Sequence, residues 1–178
     1  MTLWFAALLA LAAPVQDPVV TAGSIQESDG THTLVHSVEV DATSAVVWNA
    51  ISTPQGWQRW AAPVARGVAG APDLLETSYD PASQPGDAST IRQQFLARIP
   101  NRLLVFRTVK APEGFPDFAV YARVTTIIEL EAMDVAHTRI RITATGFEDS
   151  EAGRRLLGFF REGNRVTLEK LRDLFARD

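Results

Sequence analysis

The last stretch of the chain, from Ser150 to Asp178, constrains the fold more than any other. It reads SEAGRRLLGFFREGNRVTLEKLRDLFARD. Leu157, Phe160, Asn164, Leu168, Leu171 and Phe175 recur at steps of three and four, so they share one face of a long helix. Asp149 and Ser150 stand where a helix of this kind is capped. A lone amphipathic helix must bury its apolar face, and a curved sheet is the natural partner. One member of the stripe, Asn164, is polar.

The preceding residues supply such a sheet. Leu34, His36, Val38 and Val40 alternate along a first strand from Thr33. Thr43 caps a short helix from about Ser44 to Ser52, and Thr53-Pro54 ends it. A second short helix carries Trp57 and Trp60 on one face. These two either plug the end of the core or line a cavity mouth. A weak, glycine-interrupted strand follows Val64, and Leu74 to Tyr79 is a clearer one. Residues 80–89 are turn-rich. Then comes a hairpin turning at Pro100-Asn101. Its first strand places Ile91, Gln93, Phe95, Ala97 and Ile99 on one face, and its second places Leu104, Phe106 and Thr108. Residues 110–119 form a loop with apolar content. A long strand is expected from Val120, in phase at Ala122, Val124, Thr126, Ile128 and Leu130. The last strand carries Ile140, Ile142 and Ala144. The expected class is therefore α+β. An antiparallel sheet of about six to seven strands wraps a long C-terminal helix, with two short helices after strand one.

Several chemistries are excluded or disfavoured. The 178 residues carry a net charge of −4 with both signs mixed and no basic patch, which argues against nucleic acid as a partner. There is no cysteine, so disulfides, thiolate catalysis and cysteine-bound zinc are excluded. His32, His36 and His137 lack metal-ligand spacing, so neither a metal nor a cofactor is expected. Ser52, Ser78 and Ser89 sit in caps or turns rather than on a nucleophile elbow. Glu76, Glu113, Asp117 and Arg92 read as solvated surface. His36, in phase with apolar neighbours, reads as a core or edge histidine with a satisfied ring.

Residues 1–16 carry an apolar run from Leu3 to Ala13 that ends in small residues, as in a secretory signal peptide with cleavage after Ala12. No Lys or Arg precedes that run. The expectation is an exported protein, periplasmic or secreted, and a cytoplasmic one if the leader is not a signal. Membrane contact is expected only through an uncleaved leader. Residues 17–31 read as a lead-in segment and 32–178 as a single domain.

Several pieces, in this order and spacing, resemble a known family. They are VEVDATSAVVWNAIST, the Trp57/Trp60 pair with AAP, the RLLVFRTV strand, HTRIRITATGF, and the helix end VTLEKLRDLF. Together they resemble the branch of the START-like (SRPBCC) superfamily typified by activators of the heat-shock-chaperone ATPase, the AHSA type. The resemblance spans roughly residues 33–176. It implies the helix-grip fold of birch pollen allergen, lipid-transfer START domains and polyketide cyclases, with a pocket between sheet and helix. Family members often carry a Gly-Trp pair where this chain has Gly163-Asn164, so a wider pocket with an amide in its wall is implied.

Such a pocket holds ligand by apolar burial, and its sparse polar groups set orientation. The expected ligand contacts are Trp48, Trp57, Trp60, Gln93, Phe95, Phe106, Thr108, Thr126, Asn164 and Leu168. The expected function is non-catalytic binding of a small, largely apolar molecule. The alternatives are a cyclase- or hydratase-like enzyme using the same cavity, and a chaperone-activating or protein-binding domain.

Overall fold

A computed structural model describes residues 20–176, so the expected signal peptide lies outside the described residues. The elements run β1 (Thr21–Gln26), β2 (His32–Val40), α1 (Ser44–Ser52), α2 (Pro54–Trp60), β3 (Val64–Val68), β4 (Ala71–Ser78), β5 (Ile91–Ile99) and β6 (Leu103–Lys110). They continue with α3 (Phe118–Tyr121), β7 (Thr125–Ala132), β8 (Thr138–Phe147) and α4 (Glu151–Asp173). The strands form one antiparallel sheet of eight, in the order β1-β2-β8-β7-β6-β5-β4-β3. This is the helix-grip arrangement, with one strand more than expected.

Side-chain hydroxyls set the helix boundaries. The Thr43 hydroxyl accepts the Val46 N–H at 3.3 Å and starts α1. Thr53 serves two helices. Its hydroxyl donates to the Asn49 carbonyl at 2.7 Å, closing α1, and accepts the Gly56 N–H at 3.0 Å, opening α2. Ser150 caps α4 by accepting the Gly153 N–H at 3.1 Å. Gly153 has no room for a side chain, because a Cβ there would strike the Glu148 carbonyl. That close approach lets the helix leave the end of β8 almost at once.

Three local readings change. Thr21–Gln26, within the expected lead-in, is the edge strand β1 on β2. All six of its residues are exposed, so no burial alternation marks it. A bulge between Phe95 and Ala97 resets β5 against β6, so Phe95 stays buried while Ala97 and Ile99 turn to solvent. The long strand expected from Val120 begins only at Thr125. The residues before it form the single turn α3, entered through Asp117 at φ 55°.

The core falls into two clusters. The larger holds Trp57, Trp60, Phe95, Phe106, Ile128, Ile142, Leu168 and Leu171. The smaller holds Leu34, Val124, Ala144, Phe147 and Leu156, with Tyr121 and Phe160 packed on it. Helix α4 pins both, through Leu156 at one end and Leu168 and Leu171 at the other. Twelve residues of helix separate Leu156 from Leu168, about 18 Å of axis. Phe160 and Asn164 lie along that span.

His36 joins sheet to helix between the clusters. It is fully buried, and its Nε2 donates to the Arg161 carbonyl at 2.9 Å. Its Nδ1 has no partner among the described residues. Burial pushes the imidazole pKa down and outweighs the Arg161 carbonyl that favours the proton; the Arg161 charge adds to the depression. The unfolded chain then takes up a proton near the ordinary 6.5 while the folded one resists it. Stability is unaffected by this group above that value and falls as pH drops below it. We expect stability to fall between neutral pH and about pH 5.5, in the direction set by the lowered imidazole pKa. Denaturant titrations of wild type and His36→Gln at both pH values check it, and the variant should show a flatter profile.

On the outer face of the sheet, β3, β4 and β5 align Arg66, Glu76 and Arg92 side by side. The carboxylate of Glu76 accepts from Arg66 at 3.2 Å and from Arg92 at 2.8 Å. The Gly86 N–H donates to both carboxylate oxygens, and Lys110 reaches the Gly86 carbonyl at 3.0 Å. These contacts clamp the 80–89 connection onto the sheet. Glu76 and Arg92 are thus not the separate solvated surface residues expected, because register brings three strands' charges together where sequence spacing does not.

Candidate functional site

The gap between the two clusters is a cavity of about 380 Å³. Its floor is the sheet, at Phe106, Ile128, Ile142 and Ala144, and its roof is α4, at Phe160, Asn164 and Thr167. Tyr79 and Phe159, 68% and 61% exposed, stand at its mouth. The loop after β6 adds Pro112 and Phe115.

Trp57 and Trp60 both plug the core and line the cavity. Their indole N–H groups donate to the Ile51 carbonyl at 2.6 Å and the Ala50 carbonyl at 3.0 Å. Those are carbonyls of the last turn of α1, which have no partner within the helix. With their polar edges spent on α1, the rings offer only apolar surface. Trp57 meets Phe106 edge to face, with centroids 5.9 Å apart.

The polar wall is short. Gln93 is 7% exposed, and its Nε2 donates to the Thr77 hydroxyl over a long 3.4 Å. Its Oε1 is enclosed and has no partner among the described residues. Thr108 lies directly across the β5–β6 ladder from Gln93, and its hydroxyl donates to the Tyr121 hydroxyl at 3.3 Å. Burial pushes the Tyr121 pKa up, only partly offset by the Thr108 hydrogen bond, so the phenol stays protonated. The Tyr121 ring stacks on Phe160 with centroids 4.3 Å apart. Asn164 and Thr167 on α4, Thr126 on β7 and Tyr79 at the mouth are the other polar side chains of the lining. Among the described residues no Asp, Glu, His, Lys or Arg lines the cavity. Proton transfer there would fall to the two tyrosines.

Of the ten residues expected to touch a ligand, Trp57, Trp60, Gln93, Phe106, Thr108, Thr126 and Asn164 line the cavity. The other three do not. Helix α1 turns Val47, Ala50 and Ile51 inward, which leaves Trp48 half-buried on the flank of the larger cluster. Phe95 points in but stands behind Phe106, with ring centroids 6.2 Å apart. Leu168 is fully buried in the larger cluster, one helical turn beyond Asn164. Tyr79, Phe115, Tyr121 and Phe159 were missed. The apolar content of the 110–119 loop pointed to Phe115. Tyr121 was hidden by the alternation that made its turn look like strand. Among the described residues, no group of three or more His, Cys, Asp or Glu side chains is placed to hold a metal.

Solved structures with the same fold share little sequence with this chain. The protein MLL2253 from Mesorhizobium loti superposes with a TM-score of 0.61 at 20% identity, over 80% of this chain and 95% of that one. The Aha1 dimer from Colwellia psychrerythraea gives 0.61 at 15% identity, over 80% and 95%. CalU16 from Micromonospora echinospora gives 0.56 at 18% identity, over 86% and 80%. No curated protein matches the chain. The model of one family, described as polyketide cyclase / dehydrase and lipid transport, matches residues 31–173. Sheet, gripping helix and the cavity between them agree with that match, and the chain belongs to this SRPBCC-type family.

Proposed function

We propose that the protein binds a small, largely apolar molecule in the cavity between the sheet and α4, and does so without transforming it. The cavity wall carries the reading: aromatic and aliphatic surface with a few neutral polar groups and, among the described residues, no charged side chain. Burial of apolar surface supplies the affinity, and a volume of about 380 Å³ falls within the range of small-molecule sites. The family description, which includes lipid transport, is consistent with this reading. The leader adds the proposal that binding takes place outside the cytoplasm, after cleavage following Ala12.

Native mass spectrometry of gently purified protein tests the binding. The expected result is a small-molecule adduct that an added apolar probe displaces, with a dissociation constant on the order of micromolar. Absence of any adduct, together with failure of apolar probes to bind, would overturn the proposal. N-terminal sequencing of the mature protein tests the export arm, where a chain starting at Met1 would contradict it.

A further inference from the structure

We infer that the cavity selects an uncharged ligand carrying a hydrogen-bond donor, such as a hydroxyl on an apolar ring system, and that the Gln93 side-chain carbonyl receives that donor. The inference rests on the ligand-site reading above and specifies the ligand's chemistry.

A buried amide oxygen with no partner costs about 1–3 kcal/mol, so its persistence in a cavity wall needs a reason. The Gln93 Oε1 is such an atom, enclosed in the wall of a cavity that its residue lines, so a turn of the side-chain amide brings it to a ligand. Among the described residues, the only side-chain bond of Gln93 is the 3.4 Å contact from its other end to Thr77. Across the ladder, Thr108 spends its hydroxyl proton on Tyr121, which leaves the Tyr121 proton for another acceptor. An acceptor on β5 and a donor on α3 thus belong to residues that line the same cavity. A hydroxyl, which gives one hydrogen bond and takes another, complements both. The rest of the wall is apolar and has no counter-charge among the described residues, so a carboxylate would be desolvated without compensation. A dry cavity of about 150 Å³ holds one benzene ring, so 380 Å³ has room for about two.

The test uses naphthol, its methyl ether methoxynaphthalene, and naphthoate. Dissociation constants are read by fluorescence for wild type and Gln93→Leu, with thermal melts to confirm folding. Wild type should prefer naphthol. The ratio of the ether's constant to that of naphthol should fall about tenfold in Gln93→Leu, the loss of one hydrogen bond. Taking the ratio cancels the greater hydrophobicity of the ether. Naphthoate should bind wild type at least about a hundredfold more weakly than naphthol. If the variant does not fold, wild type alone decides: the NMR shift of the Gln93 side-chain carbonyl carbon should move with naphthol and stay with the ether. An unchanged ratio, an immobile carbonyl shift, or naphthoate binding as tight as naphthol would overturn the inference and leave the cavity as a ligand site. Failure of all three probes to bind would overturn the ligand-site reading with it.

Discussion

Asn164→Trp closes the cavity to ligand and leaves the fold standing. Asn164 lies on α4 between Phe160 and Leu168, facing the space between the two core clusters. An indole there enters the 380 Å³ rather than solvent. In the free protein it adds apolar burial against Ile142 and Thr126, so the melting temperature should hold or rise, as cavity-filling changes raise stability by about 0.5–2 kcal/mol. In the complex it competes with ligand for the same volume. Overpacking costs about 1–3 kcal/mol, so probe affinity should fall by about tenfold to a hundredfold. Titration of an apolar fluorescent probe into both proteins reads the effect. Undiminished affinity in a folded variant would place binding elsewhere.

Glu76→Ala is expected to have the largest effect on stability. The Glu76 carboxylate, 1% exposed, is shared by Arg66, Arg92 and the Gly86 N–H. Without it, two guanidinium groups face each other across β4 with no counter-charge, and the 80–89 connection loses its anchor. Removing one partner of a buried ion pair costs about 3–5 kcal/mol, and the partly exposed arginines place this case near 3. That corresponds to roughly 10 °C in Tm for a chain of this size. The pH dependence follows from the same contacts. Burial pushes the Glu76 pKa up, but the hydrogen bonds from Arg92 and Gly86 and the charges of Arg92 and Arg66 outweigh it, so the net shift is downward from 4.5. The contribution is therefore present above the unfolded-state value and is lost as pH falls through the lower folded-state value. Acid titration of wild type against Glu76→Gln should show the smaller acid loss in the variant.

These two residues differ in how far the sequence exposes their roles. Asn164 was legible because helical periodicity fixes which residues share a face, and a polar residue in an apolar stripe stands out. Gln93, Thr108 and Thr126 were legible by the same argument at the strand period. Glu76 was not. Its partners lie ten and sixteen residues away on neighbouring strands, and only strand register joins them. The bulge after Phe95 was equally hidden, because alternation continues through Ala97 and Ile99 in sequence while the backbone turns them outward. The mouth of the cavity was the least readable part. Tyr79, Phe115 and Phe159 meet there from a strand end, a loop and a helix, and no period relates them. Strand β1 is exposed throughout, so pairing along a sheet edge, rather than burial, holds it.

The central claim is that the space between the two core clusters is where ligand sits. Intermolecular NOEs between methoxynaphthalene and isotope-labelled protein test it most directly, since the probe needs no particular polar partner. The account predicts contacts from the probe to the Val124, Ile128 and Ile142 methyls and to the Trp57 and Phe106 rings, all of which line the cavity. Contacts confined to exposed apolar side chains such as Leu96, Val109 or Val135, with none to those interior groups, would contradict it.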